Sequence, residues 1–334
     1  MQTVFDRNVN PELIAKSLAG ASFGSMWLDI PRPEYPRLPG PLACDLVVVG
    51  AGYTGLWTAL HAAERNPGAK IVVIEADRVG WAASGRNGGF VEASITHGAE
   101  NGRSRWPAEY DLLRKLGVAN LDGMQADIGR HGMKVDWERT GMMTVATEAH
   151  QVPWLRDAAD AGEGRFLDES AVRGEIASPT YLGGLFDPHT CAIVDPARLV
   201  LELARTCAEL GVQIFEHTAA TDIEHDRAGV RVTTAAGSIA AGRAVLATNV
   251  YPSLLRRNRL HTVPVYDYVL ATEPLTDGQL DRIGWRSRQG VGDSANQFHY
   301  YRLSADNRIV WGGYDAVYHF GRRVDPMYED RLEV

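Results

Sequence analysis

A chain of 334 residues, 45% hydrophobic and 23% charged, can bury two cores and has an ordinary globular balance, which excludes a disordered or low-complexity polypeptide. Its net charge of −8 excludes the broad basic face that nucleic acid or an acidic membrane surface would attract, and no run of about 18 apolar residues provides a membrane span. Cys44, Cys191 and Cys207 are widely spaced and lack CxxC spacing, so free buried thiols are expected, and neither a disulfide nor a metal site.

The N-terminus has no charged-then-apolar leader pattern, which makes the cytoplasm the expected compartment. A short helix is predicted over Pro11 to Leu18, followed by five prolines between Pro31 and Pro41. That density favours an extended surface arm over residues 1–43, pinned to the body by Trp27 and Leu28.

The stretch from Asp45 to Phe90 then organises the chain. Leu46-Val47-Val48-Val49 reads as a strand, Gly50-Ala51-Gly52-Tyr53-Thr54-Gly55 as a tight turn, Leu56 to Ala63 as a helix, and Lys70 to Glu75 as a second strand ending on an acid. Each glycine has a separate task in a dinucleotide site. Gly50 permits the sharp turn, Gly52 admits the pyrophosphate to the backbone, and Gly55 lets helix and strand pack closely. Glu75 follows about 20 residues after Gly55, where a carboxylate accepts from a ribose hydroxyl. Beyond it, Ala76-Asp77-Arg78 and then Ser84-Gly85-Arg86-Asn87-Gly88-Gly89 form a loop of small residues and backbone N–H groups suited to lie along an extended cofactor. A nicotinamide dehydrogenase would turn into a further helix there.

Downstream, apolar spacing predicts a helix over Pro107 to Arg130, strands at Val135–Trp137 and Met142–Val145, and short helices between 150 and 176. Gly184–Asp187 reads as a strand. Asp195 and Pro196 are the N-cap and first residue of a helix whose apolar face is Leu199, Val200, Leu203, Cys207 and Leu210, ended by Gly211. A strand at Val212–Phe215, a hairpin about Gly237 and a strand at Ala244–Asn249 close this unit. Strands at Val263–Val265, Tyr268–Ala271, Gln297–Arg302 and Arg308–Gly313 predict an antiparallel sheet. The expected division is a dinucleotide domain of residues 44–98 and 184–258, and a substrate domain of residues 99–183 and 259–334.

The Gly50-to-Gly55 fingerprint, Glu75 and the Ser84-to-Gly89 stretch resemble the FAD-dependent oxidoreductases of the D-amino-acid oxidase type, nearest their γ-glutamylputrescine oxidase branch. That resemblance implies an α/β fold: a glutathione-reductase-like Rossmann domain for FAD with an antiparallel-sheet α+β substrate domain over the flavin. It implies cofactor contacts from Gly50, Gly52, Tyr53, Thr54, Gly55, Glu75, Ala76, Arg78, Ser84, Gly85, Arg86, Asn87, Gly88 and Gly89. It adds Ala220, where valine is the family's residue, beside the adenine, and Ala247 and Thr248 beside the pyrophosphate. The implied reaction oxidises a C–N bond of an amine or amino acid, such as a γ-glutamylated polyamine, by hydride transfer to flavin N5. Electrons then pass to oxygen or another acceptor.

Arg302, Tyr300, Tyr301 and His299 are the candidates for the substrate's polar end. Alternation puts Tyr300 and Arg302 on one face of a strand and His299 and Tyr301 on the other, so only one pair can face the flavin, and Tyr300 with Arg302 is the favoured pair. No lysine follows Lys134, which disfavours an oxidase that activates oxygen through a lysine of its substrate half. Asp325-Pro326 starts a last helical pattern that stops at Val334, earlier than the family pattern. That early stop motivates one alternative, a truncated non-catalytic relative that binds FAD poorly or not at all, and an NAD-dependent dehydrogenase is kept as a second.

Overall fold

The computed structural model describes residues 10–227, 229–251, 253–313 and 318–321. The helical pattern expected after Asp325 lies outside the described residues. The first half runs α1 (Pro11–Leu18), β1 (Leu42–Val49), α2 (Tyr53–Arg65), β2 (Ile71–Ile74), β3 (Phe90–Glu92), α3 (Ala99–Arg105), α4 (Tyr110–Arg130), β4 (Met142–Ala146), α5 (Gln151–Asp160), β5 (Arg165–Leu167) and α6 (Glu169–Glu175). The second runs β6 (Gly183–Asp187), β7 (Cys191–Ile193), α7 (Pro196–Glu209), β8 (Gln213–Phe215), β9 (Ala220–Asp226), β10 (Gly229–Thr234), β11 (Gly237–Leu246), β12 (Val269–Ala271), α8 (Asp277–Ile283), β13 (Gly290–Asp293), β14 (His299–Leu303) and β15 (Ile309–Gly313).

Apolar runs such as Ile71–Ile74, buried along their whole length, suit a sheet covered on both faces. They build a six-stranded sheet in the order β8-β2-β1-β11-β10-β9. On one side Val48 and Val73 pack with Leu56 and Leu60 of α2 and Leu199 and Leu203 of α7. On the other, Val47 and Val72 pack with Ile239, Val232 and Leu38 of the arm. β1 is parallel to both β2 and β11, and Val49 is in register with Ile74 and with Leu246. Three strands therefore end level, with the chain leaving β1 toward β2 on one side while β11 lies on the other. A ligand crevice opens at such a switch point, outside the carboxyl ends of the strands.

The second sheet has seven strands in the order β12-β15-β14-β13-β4-β6-β5. It is antiparallel except for one parallel pair, β4 with β13. β6 pairs with β4 and β5, so residues 184–187 belong to this sheet and not to the dinucleotide unit where the sequence placed them. Val135–Trp137 is not a strand: Asp136 has φ 53°, and only Glu138 bridges, to Ile193. Val263–Val265 forms no strand either, because Pro264 has no N–H to give a ladder. The hairpin strand after Gly237 and the expected strand at Ala244 are one continuous β11.

The α7 prediction holds at its start, where Asp195 Oδ1 accepts from the Arg198 N–H at 2.9 Å and Pro196 sits in the first turn. Leu199, Val200, Leu203 and Cys207 are buried, but Leu210 is 42% exposed, because the helix ends at Glu209 and Leu210 is already its cap. All three thiols are free, with Cys191 and Cys207 buried and Cys44 partly so. Burial pushes Cys44 up to about 11 and Cys207 up to about 12. At pH 8 the thiolate fraction of Cys44 is then about one in a thousand. A disulfide-exchange reagent at that pH is expected to leave the native protein almost untouched, with Cys44 reacting first, and to titrate three thiols after denaturation.

Candidate functional site

A cleft of about 3530 Å³ opens at the level strand ends and extends to the second sheet. Gly50, Gly52, Tyr53, Thr54, Glu75, Ala76, Ser84, Arg86, Asn87, Ala220, Ala247 and Thr248 line its first half, and Tyr300 and Arg302 its second. Gly55, Arg78, Gly85, Gly88 and Gly89 stand behind this wall.

The three fingerprint glycines are required sterically. Gly50 has φ +110°, and a Cβ there would lie 2.6 Å from the Ala247 carbonyl oxygen. A Cβ on Gly52 would meet Ser84 Oγ at 2.9 Å, and one on Gly55 would run into the Gly50 carbonyl. Gly52 is also the N-cap of α2 and supplies no side-chain cap. The first turn of α2 therefore offers N–H groups and its positive end to an outside anion.

Glu75 is 8% exposed, and its carboxylate is held from three directions. Oε2 accepts from the Ala51 N–H at 2.8 Å, and Oε1 accepts from the Asp77 N–H at 3.1 Å and from the Trp81 indole N–H at 2.8 Å. A carboxylate has about four acceptor positions, so one remains on Oε2 for a ribose hydroxyl. Trp81, which packs on Tyr251 at 5.4 Å between ring centroids, was not legible in the sequence. An aromatic six residues past an acid carries no local signal.

The loop after Glu75 is self-braced. Ser84 Oγ accepts from the Tyr53 N–H at 3.1 Å. Asn87 donates to the Ala83 carbonyl at 3.0 Å and accepts from the Gly89 N–H at 2.9 Å. Arg86 donates to the Trp81 carbonyl. Gly88 leaves room for the Tyr300 ring, and Gly89, at φ +75°, for the Val194 carbonyl and Arg302. Arg78, expected on the cofactor, instead donates to the Pro33 carbonyl at 3.0 Å and faces Glu216 at 3.8 Å.

On β14 the alternation is as expected, with Tyr300 and Arg302 both directed at the Gly88–Phe90 loop. Tyr300 stands edge-on to Phe90 at 5.5 Å and donates to Asp267 Oδ2 at 2.9 Å. Burial and the neighbouring Asp267 push its hydroxyl up, so it stays protonated through neutral pH. Arg302 is placed differently from the substrate ligand the sequence suggested. It is 3% exposed and donates to the carbonyls of Gly88 and Val194, both at 2.7 Å, with Trp27 stacked 5.0 Å away. Burial lowers its pKa to about 10, which leaves it charged at neutral pH. Its donors are engaged by backbone, and it is a strut. On the opposite face Tyr301 bonds Tyr181 at 2.5 Å and stacks on Trp311, while His299 Nδ1 lies 2.8 Å from Asp293.

Space kept clear by glycine, a helix end with N–H groups beyond the one that Ser84 caps, and a carboxylate with one acceptor position left fit a bound dinucleotide. With a second sheet closing the same cleft, they define a dinucleotide-binding protein with space beside the cofactor site for a second ligand. The chain belongs to the D-amino-acid oxidase family of FAD-dependent oxidoreductases, whose model matches residues 45–333. Its cofactor is thus FAD, which removes the nicotinamide alternative. It is 34% identical to the γ-glutamylputrescine oxidoreductase of Escherichia coli K12, over 90% of this chain and 70% of that protein. It is 31% identical to the probable oxidoreductase OrdL of Haemophilus influenzae, over 84% of this chain and 67% of that one. The fold matches glycine oxidase from Geobacillus kaustophilus with a TM-score of 0.66 at 20% identity, covering 85% of this chain and 74% of that structure. Among the described residues no helix is long and apolar enough to cross a membrane.

Proposed function

We propose that this chain oxidises the C–N bond of an amine or amino acid, with an N-substituted amine of the γ-glutamylputrescine type as the favoured substrate class. The observation that carries the reading is the continuity of one cleft, from Gly52 and Glu75 at the strand ends to Tyr300 and Asp267 at the second sheet. The γ-glutamylputrescine oxidoreductase likeness over nine-tenths of the chain supports the substrate class. FAD, when bound, supplies the oxidant that takes a hydride from the carbon beside a neutral amine.

The chain's own residues bind, orient and exclude water. Glu75 would accept from the ribose of bound FAD, and the first turn of α2 would hold its pyrophosphate. At the other end Asp267 and the Tyr300 hydroxyl form a polar pair suited to the cationic end of a polyamine, and the packed rings of Tyr300 and Phe90 keep water from the reacting carbon. Oxygen or another electron acceptor completes the turnover.

Anaerobic addition of γ-glutamylputrescine and simpler amines to the flavin-loaded protein is expected to bleach the visible flavin band. Bleaching by 2-hydroxy acids and not by amines would overturn the reading. Tyr300→Phe keeps the ring on Phe90 but loses the bond to Asp267. It is expected to raise KM for the amine about tenfold, the size of one lost hydrogen bond to a charged group, with flavin affinity unchanged in a direct titration.

A further inference from the structure

We infer that the N-terminal arm is a working part of the flavin site: Ser25, Trp27 and Leu28 are positioning residues that hold the Ser84-to-Gly89 loop in its cofactor-binding shape. The inference rests on the FAD site described above and concerns residues outside the matched family segment, which begins at residue 45.

Three contacts converge on the loop. Ser25 Oγ donates to the Gly85 carbonyl at 3.1 Å. Leu28 packs so closely on Gly85 that a Cβ there would come within 2.9 Å of Leu28 Cδ2. Trp27, 7% exposed, covers the guanidinium of Arg302, which in turn holds the Gly88 carbonyl. The indole also packs on Ala197 in the first turn of α7 and on Val310 of β15, so the arm closes the seam between the two sheets just behind the loop. A ring over a desolvated cation both attracts it and keeps water from its bonds to backbone.

The arm is fastened a second time, at the other end of the loop. The buried Glu216 carboxylate accepts from the Val79 N–H at 2.7 Å and from the Tyr35 N–H at 3.1 Å. Leu38 N–H donates to Thr218 Oγ1 at 3.1 Å, and Thr218 N–H to the Glu75 carbonyl at 2.8 Å. The arm therefore spans the loop from its Glu75 end to its Gly88 end. A surface strap with no task at the cofactor would not need its two anchor points there.

The test compares flavin with a ligand that lacks the flavin half. In Trp27→Leu, which keeps an apolar side chain but removes the ring, the dissociation constant for FAD is expected to rise about tenfold, read by quenching of flavin fluorescence. That for ADP, which reaches the Glu75 end and the first turn of α2 and meets the loop only at Ser84, is expected to stay within about twofold. Ser25→Ala removes a single hydrogen bond and is expected to show the same pattern at about threefold, which carries the test if Trp27→Leu does not fold. Wild-type affinity for both ligands in the variants overturns the inference. So does an equal loss for FAD and ADP accompanied by a lower melting temperature of the flavin-free protein, which would make the arm a packing anchor only. A wild-type chain that binds ADP but no FAD would refute the flavin reading of the cleft itself, a separate result.

Discussion

Replacing Glu75 by glutamine is expected to cost about two orders of magnitude in flavin affinity and to destabilise the fold, although the two side chains have the same shape. The carboxylate accepts on both oxygens, from Ala51 on one and from Asp77 and Trp81 on the other. An amide has one acceptor oxygen and one NH₂. Whichever way it is turned, the NH₂ meets at least one N–H, leaving a buried donor unpaired at about 1–3 kcal/mol. The least costly orientation points the NH₂ at Ala51, and that is the oxygen with the position left for the ribose. The charge-assisted bond to the sugar, about 1.5–3 kcal/mol, is lost as well. Flavin titration and urea unfolding of E75Q check both parts; wild-type affinity would remove this carboxylate from the cofactor site.

The second large effect is expected at Gly55. Alanine inside a helix normally gains about 1 kcal/mol over glycine, and at Gly123 of α4, where an added Cβ meets nothing within 4 Å, a gain of that kind is expected. At Gly55 the sign reverses. The Cβ would occupy the space of the Gly50 carbonyl and lie 3.2 Å from Val48 Cγ1, and the Gly50 backbone cannot swing away as a side chain could. Relief requires α2 to lift off β1, which separates Leu56 and Leu60 from Val48 and Val73. A loss of about 3 kcal/mol or more is expected, together with loss of flavin binding. Unfolding curves of G55A and G123A in the same background make the comparison; a stabilised G55A would contradict the close packing of helix and strand.

The βαβ unit was legible because its signals are local: Val47 to Val49, three glycines at fixed offsets, a periodic helix and a terminal acid lie within one short window. Asp195 and Pro196 announced α7 for the same reason. α8 carries a local signal of the same kind, the capping box formed by Thr276 and Gln279. The remainder was hidden because it depends on partners distant in sequence. Arg302 was put on the correct face by alternation, but alternation cannot say that the carbonyls of Gly88 and Val194 would be waiting there. Trp81 on Glu75, and Trp27 under Arg302, join segments whose proximity exists only after folding. Val263 and Val265 have strand-forming side chains and make no ladder, because propensity is overridden by the proline between them.

The register of β11 also sets an order of events during synthesis. β11 runs beside β1 from Leu42↔Ile239 to Val49↔Leu246, a pairing of segments roughly 200 residues apart, the kind of long-range closure that slows folding. A nascent chain can join β1 to β2 early, yet one edge of β1 stays open until residue 246 has left the ribosome. Ala247, whose carbonyl walls the Gly50 turn, arrives later still. Flavin capture is thus a late step, and it favours the closed sheet by mass action once that sheet exists. In the interval the growing polypeptide carries an unpaired strand edge that is apolar apart from Asp45. Translational pausing before residue 246 should therefore lower the yield of folded protein, whereas extra flavin should help only after that point has been passed.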